Sequence, residues 1–238
     1  MEGKKPSRGT AILIHGFTGV PENLYPLADR LRLEGYEAIV PRLAGHTRKK
    51  KDMKGHTHEE WVQSILDAYD EQKKEGKRPM LVGYSMGALI AIQVARRRDV
   101  DAMVLVCPPV FELNFRNILG RLSEEFWYAL SGYVMLPKCA TRKNIKELKK
   151  LREECIQEME GLTCRITVVQ SKDDDCANPK SASYIMEHTP KAEKTLCWIE
   201  RGHHEVFEPK NVAFAHAVGY VCQAPDTYFT KRIEETAG

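Results

Sequence analysis

The sequence predicts an α/β fold, a reduced and mostly parallel sheet of about six strands with helices on both faces. Three observations carry this. Short apolar runs rich in β-branched residues alternate with stretches of helical apolar spacing along almost the whole chain. One run, Met80-Leu81-Val82, leads into Gly83-Tyr84-Ser85-Met86-Gly87 and then into a helix-like stretch. Finally, a serine, an aspartate group and a histidine pair each fall just beyond the C-terminal end of an expected strand, the edge where open α/β sheets bind ligands.

The elements follow in order. Residues 11–14 read as a short buried strand that runs straight into His15-Gly16-Phe17-Thr18-Gly19. Helical spacing covers 22–34, a strand 36–40, a helix 59–75, a strand 79–83 and a helix 86–97. A strand at 102–107 precedes a long stretch, 111–161. Beyond it, a β-branched strand at 165–170 meets the acidic loop Asp173-Asp174-Asp175, and a helix covers 180–188. The last strand, 195–199, ends in Gly202-His203-His204, and a helix at 210–222 follows.

A Gly-x-Ser-x-Gly between strand and helix is the setting of a nucleophile elbow. The sharp turn exposes the Ser85 hydroxyl, and the flanking glycines leave room where strand and helix backbones nearly touch. A glycine-rich loop leaving the 11–14 strand can aim one backbone N–H at a developing oxyanion. The residue after the nucleophile supplies the second, so the donors fall to Phe17 and Met86. Nucleophile, acid and base then come in the order Ser, Asp, His.

With these residues in place, the chain resembles the α/β-hydrolase superfamily, and within it the small bacterial carboxylesterase and monoacylglycerol lipase group. The similar stretches are His15-Gly16-Phe17-Thr18-Gly19, Pro26-Leu27-Ala28-Asp29-Arg30-Leu31, Gly35-Tyr36, Pro41-Arg42-Leu43, Gly45-His46, Glu60-Trp61, Gly83-Tyr84-Ser85-Met86-Gly87, Asn178-Pro179 and Gly202-His203. They cover most of the chain and thin out between 110 and 163. The resemblance implies one α/β-hydrolase domain over 1–238, lacking the two N-terminal strands of the full sheet, with a helical cap inserted at 111–161. It also implies a serine hydrolase that acts on carboxylic esters with short- to medium-chain acyl groups, monoacylglycerols among them.

Family spacing assigns the acid and the base. The carboxylate falls four residues after the last strand residue and four before an Asn-Pro, which selects Asp174 between Gln170 and Asn178-Pro179. Asp173 and Asp175 are the rivals, and turn chemistry accounts for those not selected. The base attaches to the histidine directly after glycine, His203, with His204 flanking the site or packing under the cap. His46, in the Gly-His loop, is expected to line the cleft, although Thr47 stands where relatives usually have a second glycine. The aromatic half of the insertion, including Phe126, Trp127 and Tyr133, is expected to supply the acyl pocket, or to glue the cap down. The charged half, from 144 to 160, is amphipathic around Leu148, Leu151 and Ile156.

Composition narrows the field. In 238 residues, 42% hydrophobic residues suffice for a core and 29% charged residues for a soluble surface. A net charge of +3 lacks the concentrated Lys and Arg of a nucleic-acid binder. No secretory h-region and no apolar segment of spanning length is present. The seven cysteines (Cys107, Cys139, Cys155, Cys164, Cys176, Cys197, Cys222) are odd in number and lack CxxC pairs, which fits a reducing cytoplasm. The basic run Arg48-Lys49-Lys50-Lys51 with Lys54 reads as a solvated loop, or as an attractor of anions at the cleft mouth. His56-Thr57-His58 has metal-like spacing without an identifiable carboxylate or cysteine partner, and reads as a helix start; His15 supports its own loop. The expected partner is a small ester, with no metal, organic cofactor or integral membrane association, and the oligomeric state is open. Thioesterase, amidase, lactonase or acyltransferase chemistry on the same fold is the alternative, followed by a non-enzymatic ligand-binding protein.

Overall fold

In the computed structural model, residues 8–47, 49–111 and 141–224 are described. They build one six-stranded parallel sheet from β1 (Thr10–Ile14), β2 (Glu37–Ile39), β3 (Met80–Tyr84), β4 (Ala102–Val106), β5 (Arg165–Ser171) and β6 (Lys194–Ile199). The spatial order is β2-β1-β3-β4-β5-β6. The helices are α1 (Tyr25–Leu33), α2 (Lys50–Met53), α3 (His58–Lys74), α4 (Met86–Arg97), α5 (Arg142–Glu158), α6 (Lys180–His188) and α7 (Phe214–Gln223), with 3-10 turns at Pro21–Leu24 and Met159–Gly161.

The pleat sorts the strand side chains onto two cores. Ile12, Ile14, Leu81, Met103, Leu105, Ile166 and Val168 face the layer of α3, α4, α5 and α6. Their alternates Ala11, Leu13, Val82, Val104, Val106 and Val169 face α1 and α7. Both faces are covered, which is why these strands read as nearly continuous apolar runs. The direction of strand addition reverses between β1 and β3, where Ile14 pairs with Gly83. A crevice opens at such a reversal beyond the strand ends. The loops carrying Phe17 and Ser85 leave the sheet there.

Of the stretch expected as an insertion, the aromatic half with Phe126, Trp127 and Tyr133 lies outside the described residues. The charged half is α5, started by a reciprocal capping box between Thr141 and Asn144. Its apolar stripe puts Leu151 and Cys155, fully buried, onto the core shared with α3 and α4. Its polar residues are anchored as well: Asn144 Nδ2 donates to the Met53 carbonyl at 2.9 Å, and Cys155 Sγ to the Leu89 carbonyl at 3.2 Å. This half of the stretch therefore flanks the sheet with α3 and α4.

The same contacts explain His56-Thr57-His58. Thr57 caps α3 in a capping box with Glu60, and buried His58 bridges Glu147 at 2.7 Å and Glu154 at 2.9 Å on α5. Its carboxylate partners lie about ninety residues downstream, beyond the reach of spacing rules. α7 begins four residues later than its periodicity suggested, because Asn211-Val212-Ala213 forms a turn.

Candidate active site

The turn after β3 holds Ser85 at φ 55°, ψ −123°, a conformation that a non-glycine residue adopts only when its surroundings enforce it. Here they do. The Ser85 N–H donates to the Val106 carbonyl of β4 at 2.8 Å, and α4 starts at the next residue. A Cβ on Gly83 would collide with the backbone of Gly87 and Ala88, and one on Gly87 with the Ile14 carbonyl. The hydroxyl is left at the crevice with strand, helix and loop locked behind it.

On the adjacent loop, Gly16 packs so close that an added Cβ would lie 3.2 Å from Ser85 Cβ. Thr18 adopts φ 59°, and Gly19 N–H closes the turn onto the Gly16 carbonyl at 3.1 Å. The backbone N–H groups of Phe17 and Met86 donate to no other group among the described residues. Beneath this loop His15 donates from Nδ1 to the Gly16 carbonyl at 3.1 Å and accepts the Leu43 N–H at Nε2. Burial, with His46 beside it, drives its pKa down to about 3, so the ring is a neutral prop.

His46 lies in the same layer, 2% exposed, with its ring 5.2 Å from His15 and 5.4 Å from Trp61. Burial lowers it to about 4, its Nδ1 donates to the Ala44 carbonyl, and its Nε2 has no partner among the described residues. The residue expected to line the cleft is thus packed behind the Phe17 loop. Trp61 in turn supports Phe17, edge to face at 6.0 Å.

The two histidines of the last loop exchange their expected places. His204 Nε2 lies 2.9 Å from Ser85 Oγ, and its Nδ1 lies 3.0 Å from both oxygens of Asp174. His203 points to solvent, 57% exposed, with Nδ1 3.6 Å from Asp173. The reason is backbone conformation: His203 takes φ 47°, which turns the chain so that the next side chain enters the crevice. The glycine-histidine spacing that pointed to His203 carries no information about that dihedral.

Asp174 is the aspartate that meets the buried ring. Its Oδ1 accepts the N–H groups of Cys176 at 2.9 Å and Ala177 at 2.7 Å, and its Oδ2 accepts Gln170 Nε2 at 3.1 Å. Asp173 has a different task. Its Oδ1 accepts Ser171 Oγ at 2.7 Å and the N–H groups of Gly202 and His203, both at 2.9 Å, so it braces the histidine loop. Burial raises its pKa, but these three bonds outweigh it and hold the carboxyl below its ordinary value. Asn211 secures the same loop by donating to the Gly202 carbonyl at 2.8 Å and the Glu205 carbonyl at 3.0 Å. Tyr84 donates to the His204 carbonyl at 2.9 Å. Sequence reasoning missed the supporting roles of Gln170, Asp173, Tyr84 and Asn211: Tyr84 and Gln170 stand in or beside the motifs, but no spacing rule says which groups they bond.

Burial would depress the His204 imidazole, but the Cys176 sulfur and the Asp174 carboxylate outweigh it and raise its pKa well above the ordinary value. The arrangement can act as a proton relay: a hydroxyl at the crevice, an imidazole in contact with it, and a carboxylate that can fix the imidazole tautomer.

The model of the Alpha/beta hydrolase family matches residues 11–149, more than half of the chain. The chain belongs to that family. This alpha/beta hydrolase is 23% identical over 207 residues to a thermostable monoacylglycerol lipase of Bacillus sp. (strain H-257), covering 81% of each chain. It is 22% identical over 220 residues to a carboxylesterase of Bacillus subtilis (strain 168), covering 86% of this chain and 88% of the relative. Among solved structures, a soluble variant of the Saccharomyces cerevisiae monoglyceride lipase superposes with a TM-score of 0.76 at 17% identity, over 95% of this chain and 89% of that one. The six parallel strands and flanking helices of the present hydrolase are that fold. No helix among its described residues is long and apolar enough to cross a membrane.

Proposed function

We propose that this alpha/beta hydrolase is a serine esterase that cleaves carboxylic esters of short- to medium-chain acyl groups, monoacylglycerols among them, through Ser85, His204 and Asp174. The observation that carries the reading is the unbroken contact from Ser85 Oγ to His204 Nε2 at 2.9 Å and from His204 Nδ1 to Asp174 at 3.0 Å. Names of the Bacillus relatives, a monoacylglycerol lipase and a carboxylesterase, support the ester class.

In the proposed reaction Ser85 Oγ attacks the ester carbonyl while His204 Nε2 takes its proton. Asp174, fixed in place by the donors around it, holds Nδ1–H and stabilises the imidazolium. The N–H groups of Phe17 and Met86 receive the oxyanion, and the layer of His15, His46 and Trp61 keeps the Phe17 loop in place. His204 then protonates the departing alcohol, and water repeats the sequence on the acyl-enzyme. Phe126, Trp127 and Tyr133 belong to the proposal as the acyl pocket of a cap inserted after β4.

The test is covalent labelling with a fluorophosphonate, followed by peptide mapping, beside turnover of p-nitrophenyl esters of graded chain length. Label on Ser85 together with ester turnover is expected. Label on another residue, or turnover that survives Ser85→Ala, overturns the reading. Thioester and amide substrates run in parallel separate the alternative bond classes.

A further inference from the structure

Beside the relay lies a nucleophile that ester hydrolysis does not use. Cys107 follows β4, is fully buried, and holds φ 48°, a left-handed conformation rare outside glycine. A buried cysteine ordinarily serves as a small hydrophobe. This one packs against Val106 and Val169 in the core and also stands beside the Asp174 carboxylate, and burial together with that charge holds its thiol pKa well above the ordinary value. One donor atom each from Cys107, Asp174 and His204 lie within 4.8 Å of one another, and all three residues are buried. A second thiol, Cys176, interacts with the same imidazole.

Thiolate, imidazole and carboxylate are the donors that Zn²⁺ takes, at about 2.3 Å for sulfur and about 2.0–2.2 Å for nitrogen and oxygen. The cluster needs only a modest contraction to close on such an ion. Two anionic ligands would match its charge, which is the condition for burying an ion without a large penalty. We propose that Cys107, Asp174 and His204 form an inhibitory site for Zn²⁺ or another thiophilic divalent cation.

The consequence for the reaction follows from the two ring nitrogens, and it rests on His204 being the base. The cation occupies Nδ1, the nitrogen that faces Asp174. Cys107 gives up its thiol proton to solvent, the hydrogen on Nδ1 is displaced while Nε2 takes one up, and no group is oxidised or reduced. The imidazole then carries its one hydrogen on Nε2, where it points at Ser85 Oγ. An imidazole that donates to the hydroxyl cannot accept its proton, so bound metal fixes the unproductive tautomer. Removal of the metal restores the relay.

The experiment uses the metal-free full chain in a phosphine reductant. Hydrolysis of p-nitrophenyl butyrate is followed against added ZnCl₂ for the wild type, Cys107→Ala, Cys107→Ser and Cys176→Ala, each before and after EDTA. Inhibition of the wild type that EDTA reverses is expected. In both Cys107 variants, with metal-free turnover retained, the inhibitory Zn²⁺ concentration should rise at least about tenfold, since even outer-shell partners of a metal are worth about 10–100-fold in affinity. Equal inhibition of wild type and Cys107 variants, or relief in Cys176→Ala alone, overturns the proposal. Co²⁺ absorption tests the site independently of turnover. A thiolate-to-cobalt charge-transfer band in the wild type that disappears in Cys107→Ala supports it, and a wild type without that band overturns it even if every ester is hydrolysed.

Discussion

Asp173 and Asp174 stand side by side in the sequence, and their hydrogen bonds give them different work. Asp174 touches the His204 ring, so Asp174→Asn should favour the wrong tautomer and cost about 10⁴ in kcat with the fold intact. Asp173 instead bonds Ser171 and the backbone of the histidine loop, and approaches the exposed His203 ring at 3.6 Å. Asp173→Ala should therefore displace the base rather than disable it, a loss of up to about 10²-fold in kcat of the kind that misplacement by an ångström produces. Steady-state kinetics on one ester separates the two; a larger loss in Asp173→Ala would contradict the assignment. The resembling family's spacing between Gln170 and Asn178-Pro179 points to Asp174, with Asp173 and Asp175 as rivals that spacing alone leaves standing. Spacing does not choose between His203 and His204, which differ by a single dihedral at His203.

The raised His204 pKa belongs to the same scale. The relay works only when Nε2 can accept, so kcat/KM should rise with pH along a limb centred above 6.5, the ordinary imidazole value. Asp174→Asn removes a group that raises the pKa and should shift the residual limb to lower pH. A wild-type limb at or below 6.5 would contradict the account.

Among the elements, the elbow between β3 and α4 has the least tolerance. Gly83→Ala and Gly87→Ala each push a Cβ into backbone carbonyls that have no room to move, and each should cost at least about 1–3 kcal/mol of stability, read by urea unfolding. The strands are legible as apolar runs because both faces of the sheet are covered. The amphipathic stretch that forms α5 is legible as a helix too. Its place is not, because it is set by Asn144, Glu147 and Cys155 meeting partners on distant elements. For the aromatic stretch, the proposal that it forms the acyl pocket predicts a chain-length effect. Each methylene that fits should gain about 0.8 kcal/mol of transition-state binding until the pocket is full. Trp127→Ala or Phe126→Ala should then move the optimum of a p-nitrophenyl ester series toward longer chains. An unchanged profile with equal losses on every ester would assign those residues to holding the insertion in place.

For the whole molecule, sheet topology gathers residues that are far apart in sequence. The Phe17 loop, the Ser85 elbow, the Asp174 loop and the His204 loop leave β1, β3, β5 and β6 at their C-terminal ends, with the first two at the reversal of strand order. That much follows from alternating elements and right-handed crossovers. The final geometry depends on Gln170, which holds Asp174 within its own loop, and on Tyr84, Asp173 and Asn211, whose bonds to the histidine loop pin that loop in place. The central claim is that Ser85, His204 and Asp174 form the relay that hydrolyses esters. The measurement that tests it most directly is p-nitrophenyl butyrate turnover by His203→Ala and His204→Ala, assayed side by side with the wild type. The account predicts that His204→Ala loses activity by roughly 10⁴–10⁶-fold, as Ser85→Ala should, while His203→Ala stays within about tenfold of wild type. Collapse of activity in His203→Ala with His204→Ala still active would contradict it.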